Sequence, residues 1–303
     1  MKVPDRFRER YCSLVDDEDA FLSCLEELLP KSFRVNTIKS SAEEVMRRFE
    51  SYAIGLSRVP WYSDAFICDN PEAGFSLEHF TGAIYMQELV SMLPPLLVRE
   101  ELGTSRFVLD GCAAPGSKTT QIAAMMGNRG TLIANDVSYS RIRALKFNLE
   151  KAGVLNTVIT NRDLNAFQNL RFEVIVLDAP CSSEGTIRKN YDVFDTWSEG
   201  GIRQYSNVQK QLIVKAFDML MPEGTLVYST CTFAPEENEG VLQHLIDMRP
   251  EARLEKISFE GLRTSETVGS WNGIEFSSQI RNAARIWPHH NNTGGFFLAK
   301  VGK

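Results

Sequence analysis

Phe172-Glu173-Val174-Ile175-Val176-Leu177-Asp178, followed directly by Ala179-Pro180-Cys181, reads as a buried strand that ends in a carboxylate and then a thiol. A nearly continuous apolar run of this length belongs in a parallel sheet covered on both faces. A second run of the same kind, Thr225-Leu226-Val227-Tyr228-Ser229-Thr230, is followed by Cys231. Open α/β sheets bind their ligands at the carboxyl ends of the strands. One thiol at such a tip could be chance. Two thiols and a carboxylate at two tips point to covalent chemistry, because a thiolate is the strongest nucleophile among the common side chains.

Outward from these strands the pattern alternates. Further strands are expected at 107–110, 131–136 and 157–160, and helices at 117–127, 140–152, 203–221 and 236–248. The 203–221 helix carries one apolar stripe of Val208, Leu212, Ile213, Ala216, Phe217 and Leu220, and Met221-Pro222-Glu223-Gly224 is its stop signal. The tail at 294–301 reads as a closing strand. This is a doubly wound α/β domain with a mainly parallel sheet.

The N-terminal part differs. Leu22, Leu25, Leu28 and Leu29 recur at helical spacing and Pro30 ends the run. A short strand is expected at 33–38, then a helix capped by Ser40 or Ser41 with Val45, Phe49 and Tyr52 facing inward, then a strand-like piece from Val59 to Cys68. Ile84, Glu88 and Met92 suggest a helix ending at Pro94. The expected division is a small α+β module at 1–80 and the α/β domain at 81–303.

The chain has 303 residues, 43% hydrophobic and 24% charged, ordinary values for a globular protein. The first ten residues, MKVPDRFRER, lack the apolar core of a signal peptide. The stretch from Leu89 to Val98 is far short of the roughly 20 apolar residues a membrane span needs. A cytoplasmic protein without a membrane segment is expected. The six cysteines contain no CxxC, and none of the four histidines lies at ligand spacing from a cysteine, so no metal is expected. The net charge of −6 is not the basic average of a nucleic-acid binder, although a local basic face is compatible with it.

The first strand of the α/β domain ends in Asp110-Gly111-Cys112-Ala113-Ala114-Pro115-Gly116-Ser117-Lys118-Thr119. Small residues there let backbone approach a ligand, and the next helix offers its N-terminus. A phosphate-binding P-loop needs GxxxxGK[ST]. Gly111 and Gly116 have that spacing, but Ser117 intervenes before Lys118, and Pro115 removes a backbone donor. A nucleoside cofactor fits better. Asp136, about 20 residues past the glycine loop, can accept both hydrogen bonds of a ribose diol. Asp163 follows the next strand, where an adenine edge would lie. With no GxGxxG, S-adenosylmethionine suits the loop, since its sulfonium and amino acid call for carboxylates rather than a pyrophosphate cradle.

Together these residues resemble the Sun-family RNA (cytosine-5) methyltransferases, and most of all the archaeal transfer-RNA enzymes. The resemblance runs over nearly the whole chain: FRVNT at 33–37, DGCAAPGSKT at 110–119, ND at 135–136, DAPCS at 178–182, STCT at 229–232, APEENE at 234–239 and RIWPHHNNTGGFFLAKV at 285–301. The usual AAPGGK reads AAPGSK here, and the usual PCSG reads PCSSEG, so Ser183 or Gly185 shifts that turn. The resemblance implies a Rossmann-like class I methyltransferase fold with a closing antiparallel strand, preceded by a truncated RNA-recognition-like module. It implies that Cys112, Ala113, Ala114, Pro115, Gly116, Ser117, Lys118, Arg141, Asp136, Asp163 and Asp178 contact S-adenosylmethionine or hold its pocket.

It also implies that Cys231 is the nucleophile and Cys181 the assisting cysteine. The thiolate of Cys231 would add to carbon 6 of cytosine, and the resulting enamine would take the methyl group at carbon 5. Cys181 would serve proton removal or release. A free thiol is only slightly ionised at neutral pH, so the site is expected to favour the thiolate through a helix N-terminus near Glu236 and a nearby cation. Asp178 could hydrogen-bond or protonate ring nitrogen 3 as negative charge develops there, and such a neutral acid would need burial to raise its pKa. DNA cytosine methyltransferases suggest the opposite assignment, since their nucleophile follows a Pro-Cys like Pro180-Cys181. Arg34, Arg188, Lys189 and Arg285 are expected to contact RNA, with Lys39, Arg203, His289 and His290 as further candidates, and Arg34 with Asn36 could instead organise the domain interface. Transfer RNA is the expected substrate and ribosomal RNA the alternative, and the protein is expected to act as a monomer. Two other classes stay in view: a P-loop nucleotide hydrolase, and a non-catalytic RNA-binding or assembly factor, for which two thiols have no use.

Overall fold

The structure is a computed structural model that describes residues 3–303. In chain order its main elements are α1 (Asp5–Tyr11), α2 (Glu18–Glu26), β1 (Lys31–Val35), α3 (Ala42–Ser51), β2 (Leu56–Val59), β3 (Tyr62–Cys68), α4 (Leu77–Thr81), β4 (Ile84–Met86), α5 (Leu93–Leu96) and α6 (Arg99–Thr104). Then come β5 (Phe107–Asp110), α7 (Ser117–Met125), β6 (Thr131–Asn135), α8 (Tyr139–Ala152), β7 (Thr157–Thr160), β8 (Phe172–Asp178), α9 (Val193–Thr196), α10 (Glu199–Asp218) and β9 (Leu220–Thr230). The chain closes with α11 (Glu239–Met248), β10 (Arg253–Glu255), β11 (Ser270–Trp271), β12 (Ile274–Glu275), β13 (Ala284–Ile286), α12 (Pro288–Asn291) and β14 (Phe296–Gly302). No helix among the described residues is long and apolar enough to cross a membrane.

By contact density the chain divides into two compact units. One holds Pro30–Asp178 and Lys215–Val227; the other holds the residues up to Leu29, Ala179–Val214 and Tyr228–Gly302. The first unit contains an antiparallel sheet of order β2-β3-β1-β4. Ser41 caps α3 by accepting from the Glu44 amide at 3.2 Å, and Glu43 and Glu44 occupy its first turn, where the helix dipole favours acids. That helix turns Val45 and Phe49 onto Phe33 and Phe66, while Tyr52, expected to face inward, is 45% exposed.

The segment expected to be a helix ending at Pro94 is built differently. Ile84–Met86 is β4, paired antiparallel with β1, and a 3-10 turn at Val90–Met92 leads into α5, which begins at Leu93 with Pro94 and Pro95 in its first turn. Proline is tolerated there because the first-turn amides have no intrahelical partner. Ile84, Glu88 and Met92 have helical spacing, but only Ile84 lies in β4, and Met92 falls in the separate 3-10 turn Val90–Met92.

The large sheet has the order β10-β14-β9-β8-β5-β6-β7, with β13 on β14. β5 pairs parallel with β6 and β8, and β6 parallel with β7, while β14 pairs antiparallel with β10 and β13. After β5 the chain builds outward through β6 and β7, then returns to place β8 on the other side of β5. That reversal is the topological switch point, where α/β sheets leave a crevice for ligands. β9 starts earlier than its apolar core suggested: Leu220 is already extended, and Glu223 takes a left-handed φ of +62° just before Gly224. In the other unit, Phe7, Tyr11, Phe21, Leu25, Ile187, Phe233 and Trp287 form one buried aromatic-rich core.

Candidate active site

In the first unit the loop after β5 and the start of α7 lie at the switch point. Gly116 takes φ +105°, a region open to glycine, and an added Cβ would meet Leu145 at 3.1 Å. The peptide between Ala114 and Pro115 is cis. Asp136 holds this loop: its Oδ2 accepts from the Ala114 amide at 3.1 Å and its Oδ1 from the Ser138 amide at 2.9 Å. Arg141 lies 3.2 Å from Asp136 Oδ2 and donates to the Ala114 carbonyl. A carboxylate offers about four acceptor sites, and the two amides use two of them. Asp163 is exposed, and its Oδ1 accepts from the Asn165 amide at 2.8 Å.

Lys118 donates to Asp178 Oδ2 at 2.6 Å. Asp178 Oδ2 is thus engaged as an acceptor of the Lys118 ammonium. Thr119 donates to Asp110 Oδ2 at 2.7 Å, while Asp110 Oδ1 is buried without a partner. Burial pushes the Asp110 carboxyl up to about 7. Burial, with Asp110, Asp178 and Asp136 nearby, also pushes the Cys112 thiol well up, so Cys112 is a neutral lining group. The donor set suits S-adenosylmethionine. Carboxylates at 136, 163 and 178 answer a ribose diol, an ammonium and a sulfonium, whereas a triphosphate would meet three acids and a lysine already engaged by one of them.

In the second unit the loops that begin at Cys181 and Cys231 come together. The two sulfurs are 3.3 Å apart, and the Ser183 hydroxyl is 3.7 Å from one and 3.6 Å from the other. The loops are joined by backbone: the Gly185 amide donates to the Cys231 carbonyl at 2.8 Å, and an added Cβ at Gly185 would lie 2.1 Å from the Gly295 carbonyl oxygen. Gly185 is therefore the glycine that this contact requires. Ser183, where the family pattern has glycine, takes φ +65° and donates to the Cys181 carbonyl at 3.1 Å. Cys181 is 8% exposed, and Cys231 is only partly buried. The hydrogen bond to Cys231, then burial, push the Cys181 thiol well up, with Glu237 adding to the effect. Cys181 thus keeps its proton and can donate it toward the more accessible Cys231 sulfur. Apart from Cys231, the ionisable side chain beside Cys181 is the Glu237 carboxyl.

Under the thiols lies a polar network that sequence reading missed. Ser182 Oγ is within hydrogen-bond reach of Glu237 Oε1, of Glu184 Oε2 at 2.7 Å and of Thr232 Oγ1 at 3.0 Å. Glu237 Oε2 accepts from the Ser182 amide at 3.1 Å and from Gln209 Nε2 at 2.7 Å. Glu184 Oε1 accepts from Tyr11 at 2.8 Å and Trp197 at 2.9 Å. A serine has one hydroxyl proton, so two carboxylates cannot both be satisfied by it, and one acid must bring its own proton. Burial, with Glu184 close by, pushes the Glu237 carboxyl up to about 8, which makes Glu237 that acid. Glu237 lay inside the quoted APEENE stretch, but nothing local marks it from its neighbours.

Burial corrects two of the four expected RNA contacts, Arg188 and Arg285, and engages most of the donors of a third, Arg34. Arg34 is 1% exposed and donates to Gln87 Oε1 at 2.9 Å and to the Ser117 carbonyl at 3.1 Å. Together with Asn36, which donates to the Gly82 and Ala152 carbonyls at 2.8 Å, it ties the N-terminal sheet to α7 and α8. Arg188 is 1% exposed and donates to the Glu27, Leu28 and Thr293 carbonyls and to Asn292. Arg285 is 3% exposed and forks onto both oxygens of Glu239 at 2.6 Å. Lys189 is exposed. Arg203 is exposed, Lys39 donates to the Thr81 and Lys151 carbonyls, and His289 and His290 both turn Nε2 onto Asp16 at 3.0 and 2.8 Å.

Comparison with known proteins agrees with this geometry. A family model described as 16S rRNA methyltransferase RsmB/F matches residues 99–302, and one for the N-terminal domain of 16S rRNA methyltransferase RsmF matches residues 3–89. A tRNA (cytosine(49)-C(5))-methyltransferase of Pyrococcus abyssi is 40% identical over 307 residues, covering 100% of this chain and 97% of that protein. Ribosomal RNA small subunit methyltransferase F of Vibrio parahaemolyticus is 37% identical over 313 residues, and the match takes in 99% of this chain but 63% of the bacterial protein. Among solved structures, a methyltransferase homolog protein from Pyrococcus horikoshii superposes with TM-score 0.87 at 34% identity, covering 99% of this chain and 95% of the other. NSun6 from Pyrococcus horikoshii with SFG superposes with TM-score 0.85 at 23% identity, covering 99% and 98%, which bears on the fold alone. The chain belongs to the RsmB/F family, the Sun-family S-adenosylmethionine-dependent RNA (cytosine-5) methyltransferases that its motifs resemble.

Proposed function

We propose that this chain methylates carbon 5 of a cytosine in transfer RNA, in the cytoplasm and as a monomer, with Cys231 as the nucleophile and Cys181 serving release. The observation that carries the reading is the pair of sulfurs 3.3 Å apart, one buried and one partly exposed. Only the accessible sulfur can reach a base, which favours Cys231 over the DNA-enzyme type of assignment. Transfer RNA is favoured because the Pyrococcus abyssi relative is matched over 97% of its length. Ribosomal RNA is the second reading, favoured by the Vibrio relative, of which the chain spans 63%.

Carbon 5 of cytosine is a poor nucleophile until a sulfur adds to carbon 6. Cys231 Sγ makes that bond and leaves the ring an enamine. Cys112 to Lys118, Asp136, Arg141, Asp163 and Asp178 would hold S-adenosylmethionine, which would supply the methyl electrophile for carbon 5 and leave as S-adenosylhomocysteine. Transfer of the carbon 5 proton to solvent water restores the 5,6 double bond and expels the Cys231 sulfur as a thiolate. Cys181 keeps its proton and hydrogen-bonds the departing sulfur, which makes that sulfur a better leaving group. A cytosine must be unstacked to present both faces of its ring.

The direct test uses unfractionated tRNA and, separately, ribosomal RNA from the same cells. After reaction with methyl-labelled S-adenosylmethionine the RNA is digested to nucleosides. Label in 5-methylcytidine from tRNA supports the reading. Label from ribosomal RNA alone moves the substrate, and label in another nucleoside contradicts the chemistry.

A further inference from the structure

A cleft of about 160 Å³ lies in the first unit between the N-terminal sheet and α8. Its polar lining comes from Arg34 on β1, Asn36, His79 on α4, Tyr85 on β4, and Asn148 and Lys151 on α8. It is large enough for several waters or one tetrahedral oxyanion. Arg34 and Lys151 bring positive charge to it, and no carboxylate lines the cleft among the described residues. That is unexpected on a chain with 39 acidic and 33 basic residues.

The cations have donors to spare. Arg34 uses Nε on Gln87 and Nη2 on Ser117 and Thr120, and Nη1 has no hydrogen-bond partner among the described residues. The Arg34 guanidinium also lies 5.2 Å from the centre of the Tyr85 ring. Lys151 Nζ is 3.2 Å from His79 Nε2, while His79 Nδ1 is 2.6 Å from the Gly74 carbonyl. A carbonyl only accepts, so Nδ1 bears the hydrogen and neutral His79 receives the Lys151 ammonium at Nε2. Burial disfavours the charged form of both groups, and each also has a like charge beside it: Lys39 near Lys151, and Lys151 near His79. An anion in the cleft would relieve both.

Beside His79 in sequence stand large exposed apolar residues: Phe75 at 90%, Leu77 at 57% and Phe80 at 80%. Cations that track a phosphate, with aromatic rings on which a base can stack, are how proteins hold unpaired nucleic acid. We propose that this cleft takes one phosphodiester of the substrate RNA and that Phe80 and Phe75 receive a neighbouring unpaired base. The inference rests on the RNA reading above. It supplies a contact that the buried Arg34, Arg188 and Arg285 cannot provide by themselves.

The test compares the full chain with Lys151→Gln, His79→Gln and Phe80→Ala, each checked for an unchanged melting temperature and S-adenosylhomocysteine affinity. Binding of unfractionated tRNA is measured over a salt series, and inorganic phosphate is titrated separately by calorimetry. Loss of one phosphate contact lowers the slope of log affinity against log salt by about 0.7 to 1. The proposal predicts that drop for Lys151→Gln, and for Phe80→Ala a loss of affinity of about 5- to 150-fold with the slope kept, since one stacked base is worth about 1–3 kcal/mol. Wild-type tRNA affinity and slope retained in all three variants would overturn it. So would binding of inorganic phosphate with no variant effect on tRNA, which would make the ligand a free anion. If the wild-type protein forms no 5-methylcytidine in any RNA, the functional reading fails instead.

Discussion

The Ser183 hydroxyl lies 3.7 Å from the Cys181 sulfur and 3.6 Å from the Cys231 sulfur, on a backbone held at φ +65°. A left-handed backbone suits glycine, and the family pattern has glycine there. This chain tolerates a serine, whose hydroxyl also bonds the Cys181 carbonyl.

That compensation is measurable. Ser183→Ala removes the hydrogen bond and keeps the backbone strain, whereas Ser183→Gly removes both. Urea denaturation should therefore find the alanine variant less stable than the glycine variant by about 1 kcal/mol. Equal stabilities, or alanine above glycine, would show that residue 183 is not under backbone strain.

Glu237 predicts a pH dependence. Its carboxyl titrates at about 8 in the folded chain, because of burial and of Glu184, against about 4.3 when unfolded. The folded state then binds more protons than the unfolded state throughout that window, so stability falls as pH rises. The contribution is complete below pH about 4.3 and lost as pH passes 8. Glu237→Gln, which imitates the neutral acid, should flatten the fall in melting temperature between pH 5 and 9. Asp110, which titrates at about 7, acts in the same direction and should leave a residual slope. A variant whose melting temperature tracks that of the unaltered protein at every pH would show that Glu237 is not the proton holder.

Arg285 and Lys189 should separate structure from surface. Arg285→Ala leaves Glu239 buried and unpaired, a loss on the order of 3–5 kcal/mol. Lys189→Ala removes an exposed charge and should change stability by about 0.5 kcal/mol at most. Thermal melts of the two variants give the comparison, and an Arg285→Ala protein as stable as Lys189→Ala would contradict the buried pair.

The cofactor pocket should answer to S-adenosylhomocysteine and not to ATP. A ligand at 100 times its dissociation constant stabilises the fold by about 2.7 kcal/mol. Asp136→Ala removes the side chain that holds the Ala114 amide and Arg141, and should abolish most of that ligand-induced rise in melting temperature. A rise with ATP instead would revive the P-loop reading of Gly111 to Lys118.

How far the sequence foretold the site depends on the range of each signal. β8 and the two cysteine-bearing loops were legible because a continuous apolar strand and the residue after it are local features. The loop from Cys112 to Lys118 was legible for the same reason. β4 was not, since Ile84, Glu88 and Met92 have helical spacing although only Ile84 lies in the strand. Arg188 and Arg285 read as surface cations because their partners lie far off in sequence, at Thr293 and Glu239. Glu237 read as one acid among several, and only its packing against Ser182, Gln209 and Glu184 makes it a proton holder.

The central claim is that Cys231 forms the bond to the base and Cys181 assists its release. The most direct measurement incubates Cys181→Ala and Cys231→Ala separately with S-adenosylmethionine and total RNA and resolves each on a denaturing gel. A covalent protein–RNA adduct that accumulates with Cys181→Ala and is absent with Cys231→Ala is the predicted result. An adduct confined to Cys231→Ala would contradict it and assign the nucleophile to Cys181.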